Sequence, residues 1–111
     1  MVRPRARRLA PGVTWTDAGP DLAEGDIREV HLNGLAIGIA RAGGEVYAFE
    51  VWCTHADCPL TDGRLEGSAI RCSCHGALFR LEDGVPLEGP ATEPVRTFPA
   101  RLREERMEVD L

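Results

Sequence analysis

The chain has 111 residues, 43% of them hydrophobic, and a formal charge of −5 from 13 arginines and no lysine against 18 acids. That length suits one domain and is short for two, and no stretch approaches the roughly 18 apolar residues of a membrane-crossing helix. Residues 1–12 hold Arg3, Arg5, Arg7 and Arg8 and no acid, so residues 13–111 carry −9, four charges below the whole; such a body argues against nucleic acid and for basic protein partners.

Residues 1–12 are expected as a basic flexible N-terminal tail and residues 13–111 as a single domain. The Arg7-Arg8 pair is followed by Leu9-Ala10-Pro11-Gly12 rather than an apolar run, so it does not read as an export signal, and a cytoplasmic location is expected. Twelve glycines and eight prolines suit short strands joined by many turns. Val13–Asp17 is β-rich, and Leu22 to Gly25 reads as a connection. Ile27–Leu32 runs into Asn33-Gly34, a strong hairpin signal, and Leu35–Arg41 is the return strand, closed by Ala42-Gly43-Gly44. Val46–Val51 completes a three-stranded meander that leads into Trp52 and Cys53.

Further on, Gly63 and Gly67 are expected to bracket a turn, and Ala69–Arg71 is a short strand ending at Cys72. Ala77–Leu81 returns as a strand closed by Glu82-Asp83-Gly84. Leu87–Pro94 is a rigid, proline-bounded loop, and Val95–Phe98, Ala100–Arg103 and Met107–Leu111 supply closing strands. Sustained helical periodicity is missing, with room for one helical turn in Arg101–Met107. The expected fold is all-β: a small antiparallel sandwich or barrel, with two loops at strand tips forming a ligand-bearing subdomain.

Chemistry concentrates in those two loops. All four cysteines and two of the three histidines fall between Cys53 and His75. The arms are Cys53-x-His55 and Cys72-x-x-His75, with sixteen residues between His55 and Cys72. A structural zinc finger usually draws a cysteine pair from one segment and a histidine pair from the other. Here each arm is mixed, so laying the arms side by side aligns the cysteines on one side and the histidines on the other. That suits two metal ions with different ligand sets, and a zinc-binding structural module stays open as an alternative. Of the remaining candidates, His31 is expected on the surface and Trp52 in the core. Ala56, Pro59, Leu60, Ala77 and Leu78 are expected as an apolar rim around the histidine tips, with Asp57, Asp62 and Glu66 nearby. No Ser-His-Asp set or phosphate loop is present, and the two serines, Ser68 and Ser73, leave little scope for hydrolase chemistry.

The motif resembles that of the Rieske 2Fe–2S family over Ile27 to Leu111, including a third loop with Gly89-Pro90-Ala91 that is similar to the family's proline loop. The resemblance implies a Rieske-type 2Fe–2S cluster, with Cys53 and Cys72 binding the inner iron as thiolates and His55 and His75 binding the outer iron through imidazole nitrogens. Two ferric ions, two sulfides and two thiolates sum to zero charge, so reduction adds one negative charge to a neutral core. An all-cysteine site starts more negative and resists the electron more, which places Rieske centres at higher potential than plant-type ferredoxins. High-potential members place a serine and a tyrosine where this chain has Ala77 and Phe79. Without those hydroxyl donors the chain is similar to the low-potential Rieske ferredoxins, and a potential of about −150 mV is expected. Cys58 and Cys74 occupy the positions of a loop-bridging disulfide in the high-potential members, so the resemblance implies that pairing; two reduced thiols are the alternative, because cytosolic disulfides are uncommon.

The resemblance therefore implies a soluble, monomeric one-electron carrier, not an enzyme by itself. It would dock transiently with a flavin reductase and with a terminal oxygenase of the ring-hydroxylating type, and bind neither nucleic acid nor membrane. The small subunit of an assimilatory nitrite reductase, similar in size and fold, is the runner-up.

Overall fold

Tight turns set the framework. In the computed structural model, which describes residues 14–54 and 58–111, Asn33 and Gly34 adopt φ of 51° and 81° and join β2 (Ile27–Leu32) to β3 (Leu35–Ala42). Two successive left-handed residues match the twist of the flanking strands, which is why Asn-Gly is favoured there. Gly43 and Gly44, at φ 60° and 80°, likewise join β3 to β4 (Glu45–Glu50). The expected tail, residues 1–12, and the arm residues His55, Ala56 and Asp57 lie outside the described residues.

The remaining strands are β1 (Trp15–Pro20), β5 (Arg64–Glu66), β6 (Ala69–Arg71), β7 (Leu78–Arg80), β8 (Pro86–Glu88), β9 (Thr97–Phe98), β10 (Ala100–Arg103) and β11 (Arg106–Asp110). They form three sheets of order β1-β11-β10, β2-β3-β4-β9 and β5-β6-β7-β8, and every pairing is antiparallel. The all-β expectation holds. Three details differ from it. Gly63 and Gly67 flank a strand, β5, and the turn is at Gly67-Ser68. The start of the proline-bounded loop is paired as β8, with Leu78 opposite Glu88. Arg101–Met107 is a hairpin whose turn residues Glu104 and Glu105 both have positive φ, 52° and 66°, and the helical turn lies instead at Leu60–Asp62, a three-residue 3-10 helix.

The β2-β3-β4-β9 sheet is the middle layer. Ile37, Ile39, Ala48 and Phe98 pack with Ala18, Met107 and Val109 of the β1-β11-β10 sheet. Ala40, Ala42 and Phe49 join a second cluster with Ile70 and Phe79 of the third sheet, with Leu81 just past β7, and with Cys53 and Cys72. Burial on both faces removes the alternation that marks a half-exposed strand, and Ile37 through Ala40 are all buried. Gly38 is buried inside that strand, and a Cβ there would lie 2.6 Å from Phe49 Cζ. A glycine within a strand marks a close approach, and here it leaves room for the ring of Phe49, its cross-strand partner on β4.

Surface carboxylates are held by donors fixed in this framework. Arg106 Nε and Nη2 donate to Asp17 at 3.0 and 2.7 Å, and Arg80 donates to Asp83 at 2.9 and 2.7 Å. The N–H groups of Gly43 and Gly44 donate to Glu24 at 2.6 and 3.0 Å. These bonds hold Asp17, Asp83 and Glu24 below the ordinary values of 3.8 for Asp and 4.5 for Glu. A carboxyl lowered in the folded state adds stability above its unfolded pKa and loses it as pH falls through the folded value. The melting temperature is therefore expected to drop as pH is lowered from about 5 to about 3, and the drop to shrink in high salt, because all three groups face solvent. A melting temperature that rose across that range would contradict this.

Candidate metal centre

The two arms leave from different sheets. The first continues out of β4: Val51 N–H donates to Ala36 O at 3.2 Å and Leu60 N–H donates to Val51 O. Trp52 and Pro59 form an isolated bridge, and Cys53 N–H donates to Cys58 O at 2.9 Å, closing the mouth of the loop. Strand-like alternation carries through this stretch: Val51 is 1% exposed, Trp52 54% and Cys53 5%. Because Cys53 turns into the core, its neighbour must turn out. Trp52 is thus not the core residue it was expected to be.

The second arm is the tip of the β6–β7 hairpin. Cys72 N–H donates to Ala77 O at 2.8 Å, and Gly76 N–H donates to Cys72 O at 3.1 Å. Gly76 takes φ 77°, a left-handed conformation that glycine adopts without a Cβ penalty. Alternation again sinks the cysteine: Ile70 is 0% exposed, Cys72 2%, and Arg71 between them is half-buried.

A disulfide joins Cys58 of the first arm to Cys74 of the second, with Cα atoms 6.4 Å apart. Cys53 and Cys72 take no part in it, and the Cys72 sulfur lies within 4.8 Å of both disulfide sulfurs. The third loop closes the same region. Thr54 Oγ1 donates to Glu93 O at 2.7 Å, the Gly89-Pro90 peptide is cis, and Ala91 and Val95 are buried in the cluster that holds Cys53 and Cys72. His75 is exposed, and His31 sits on the surface with Nε2 3.7 Å from Glu29. The expected apolar rim is mostly interior. Leu60 and Ala77 are fully buried in the second core and Leu78, the first residue of β7, is 8% exposed; Pro59 is half-buried and Ala56 lies outside the described residues.

This donor set fits an iron–sulfur group of mixed ligation. Two soft thiols sit together in an apolar core that, among the described residues, contains no buried charged or polar side chain. An imidazole is exposed at the end of one arm. Sequence reasoning missed Arg71, whose side chain ties β5, β8 and the second arm; the available signal was a cation directly before Cys72 with Glu66 five residues upstream.

Comparison with known proteins agrees with the geometry. The Rieske 2Fe-2S domain profile matches residues 14–99. The ferredoxin component of the naphthalene 1,2-dioxygenase system of Pseudomonas putida is 34% identical over 101 residues, 89% of this chain and 97% of that protein. The structure of the complex of reduced oxygenase and oxidized ferredoxin in carbazole 1,9a-dioxygenase contains a chain that matches with a TM-score of 0.81 and 32% identity, covering 86% of this chain and 92% of that one. A structure described as an NADH-dependent nitrite reductase small subunit from Mycobacterium tuberculosis has a TM-score of 0.80 at 24% identity, over 89% of this chain and 96% of that one, a likeness of fold. The family match and these relatives define an iron–sulfur electron-transfer protein. The chain belongs to the Rieske 2Fe–2S family, and it is an electron carrier of ferredoxin type with a Rieske-type 2Fe–2S cluster.

Proposed function

We propose that this chain carries single electrons from a flavin-dependent reductase to a terminal oxygenase of the ring-hydroxylating type, with Cys53, Cys72, His55 and His75 as the cluster ligands. The observation that carries the reading is the pair of buried thiols, Cys53 and Cys72, brought into one core cluster from two arms, with an exposed His75 three residues after Cys72. A bound Rieske cluster supplies a one-electron couple at a potential set by its mixed ligands and their surroundings. The protein supplies the rest. Cys53 and Cys72 place two thiolate donors where Leu60, Ile70, Phe79 and Val95 exclude water. His75 offers an imidazole at the surface, where a docked partner can approach it. The Cys58–Cys74 bridge and the Thr54–Glu93 hydrogen bond hold both arms and the proline loop in register. The acidic body favours basic docking surfaces and an association that weakens with salt. A monomer in the cytoplasm is the state this role calls for.

The purified protein is expected to be reddish-brown, to accept an electron from a flavin-dependent ferredoxin reductase and to pass it to a terminal oxygenase. Co-purification with a large sirohaem subunit would favour the nitrite reductase reading instead. A colourless, zinc-bearing protein would sink both.

Ala77 and Phe79 are each fully buried beside Cys72 in the second core, and neither can donate a hydrogen bond from its side chain. A redox titration followed by electron paramagnetic resonance is expected to give a midpoint of about −150 mV, the low end of the Rieske range. Ala77→Ser and Phe79→Tyr are each expected to move it upward, because an added donor favours the more negative reduced form. A wild-type midpoint well above zero would keep the cluster and overturn the role given to the missing hydroxyls.

A further inference from the structure

Arg71 is the most heavily engaged side chain near the second arm. Its Nε and Nη2 donate to Glu66 Oε2 and Oε1 at 2.6 and 2.8 Å, a two-point contact with β5. Its Nη1 donates to Gly76 O at 2.7 Å and to Glu88 Oε1 of β8 at 3.2 Å. In the sheet order β5-β6-β7-β8, a residue on β6 thus ties both edge strands together. Gly76 directly follows His75, and its own N–H donates back to Cys72 O at 3.1 Å. Both polar groups of that peptide pair are therefore spoken for, one by Arg71 and one by Cys72. The planar fork of arginine can meet a carboxylate at two points and still reach a third acceptor, which lysine cannot do.

We propose that Arg71 is the positioning residue of the second cluster arm, fixing Gly76 and hence His75, and that its charge, opposed by Glu66 and Glu88, sets the local field at the site. The proposal rests on the assignment of Cys72 and His75 as ligands. An arginine guanidinium is not deprotonated in proteins, so the cation is permanent. A fixed positive charge near a centre that gains an electron stabilises the reduced form and raises the potential, while the two carboxylates oppose it. This region offers no serine or tyrosine hydroxyl at positions 77 and 79, so the field of this triad is a means of tuning that remains.

The test uses cluster-loaded Arg71→Lys, Arg71→Met and Glu66→Gln, read by midpoint potential, electron paramagnetic resonance g values and melting temperature. Glu66→Gln removes a negative charge and is expected to shift the potential upward. Arg71→Met removes the positive one and is expected to shift it downward. Arg71→Lys keeps the charge and loses the fork, so its potential stays near wild type while its g values move and its lines broaden. If all three variants lower the melting temperature with potential and g values unchanged, Arg71 is a structural strut and the proposal is overturned. Should Arg71→Met fail to fold, the Glu66→Gln shift decides: upward supports the proposal, and none overturns it. A His75→Ala control separates the premise, since a wild-type signal in that variant would defeat the ligand assignment itself, whatever Arg71 does.

Discussion

Replacement of Cys72 by alanine is expected to give a protein without visible absorption or a reduced-state paramagnetic signal. Loss of an outer partner of a metal ligand typically costs about 10–100-fold in affinity, and removing a thiolate ligand itself should exceed that. The change is chemical rather than architectural. Cys72 is 2% exposed, its backbone bonds to Ala77 and Gly76 do not involve the side chain, and the Cys58–Cys74 bridge still ties the arms. Circular dichroism should therefore report a β-protein, with a lower melting temperature because cluster binding contributes to folding. His75→Ala should lose the same signals, whereas His31→Ala, exposed beside Glu29, should keep them. A Cys72→Ala protein with a wild-type iron content and spectrum would remove this residue from the ligand set.

The second large effect is expected at Phe49, which is fully buried where the middle sheet meets the cysteine-bearing cluster. Phe49→Ala should cost about 3–5 kcal/mol, the range for truncating a buried aromatic and leaving a cavity. Against a domain stability of about 5–15 kcal/mol, that amounts to roughly 15–25 °C in melting temperature. Gly38→Ala should cost about 1–3 kcal/mol for the opposite reason, since its Cβ would intrude on the Phe49 ring. The two changes touch the same space. In the double variant the missing ring leaves room for the added methyl, so the combined loss should fall short of the sum by about 1 kcal/mol or more. Chemical unfolding of the cluster-loaded proteins measures all three, and strict additivity would mean that Gly38 and Phe49 do not share that contact.

Much of this architecture was legible residue by residue. Asn33-Gly34 placed a two-residue hairpin because few other pairs accept two left-handed conformations in succession, and the structure has it there. Ile27–Leu32 and Ala69–Arg71 are strands with the expected bounds. The weak points share a cause. Strands β5 and β8 are the edges of their sheet, and they exist because β6 and β7 offer them hydrogen-bonding partners rather than because of a pattern of their own. Glu104 and Glu105 take left-handed turn conformations that their own preferences do not favour; pairing of β10 with β11 imposes them.

At the metal centre the division is sharper. The sequence by itself determined which soft donors are present and how they are spaced, because Cys53, His55, Cys72 and His75 are written one residue at a time. It also determined the absence of hydroxyls at Ala77 and Phe79. Only the tertiary structure decided how those residues are held: that the arms come from different sheets, that Trp52 faces out because Cys53 faces in, and that Arg71 ties two edge strands to the carbonyl beside His75. Which neighbours a side chain meets across a sheet depends on register and on what covers each face, and neither is encoded within a stretch of adjacent residues.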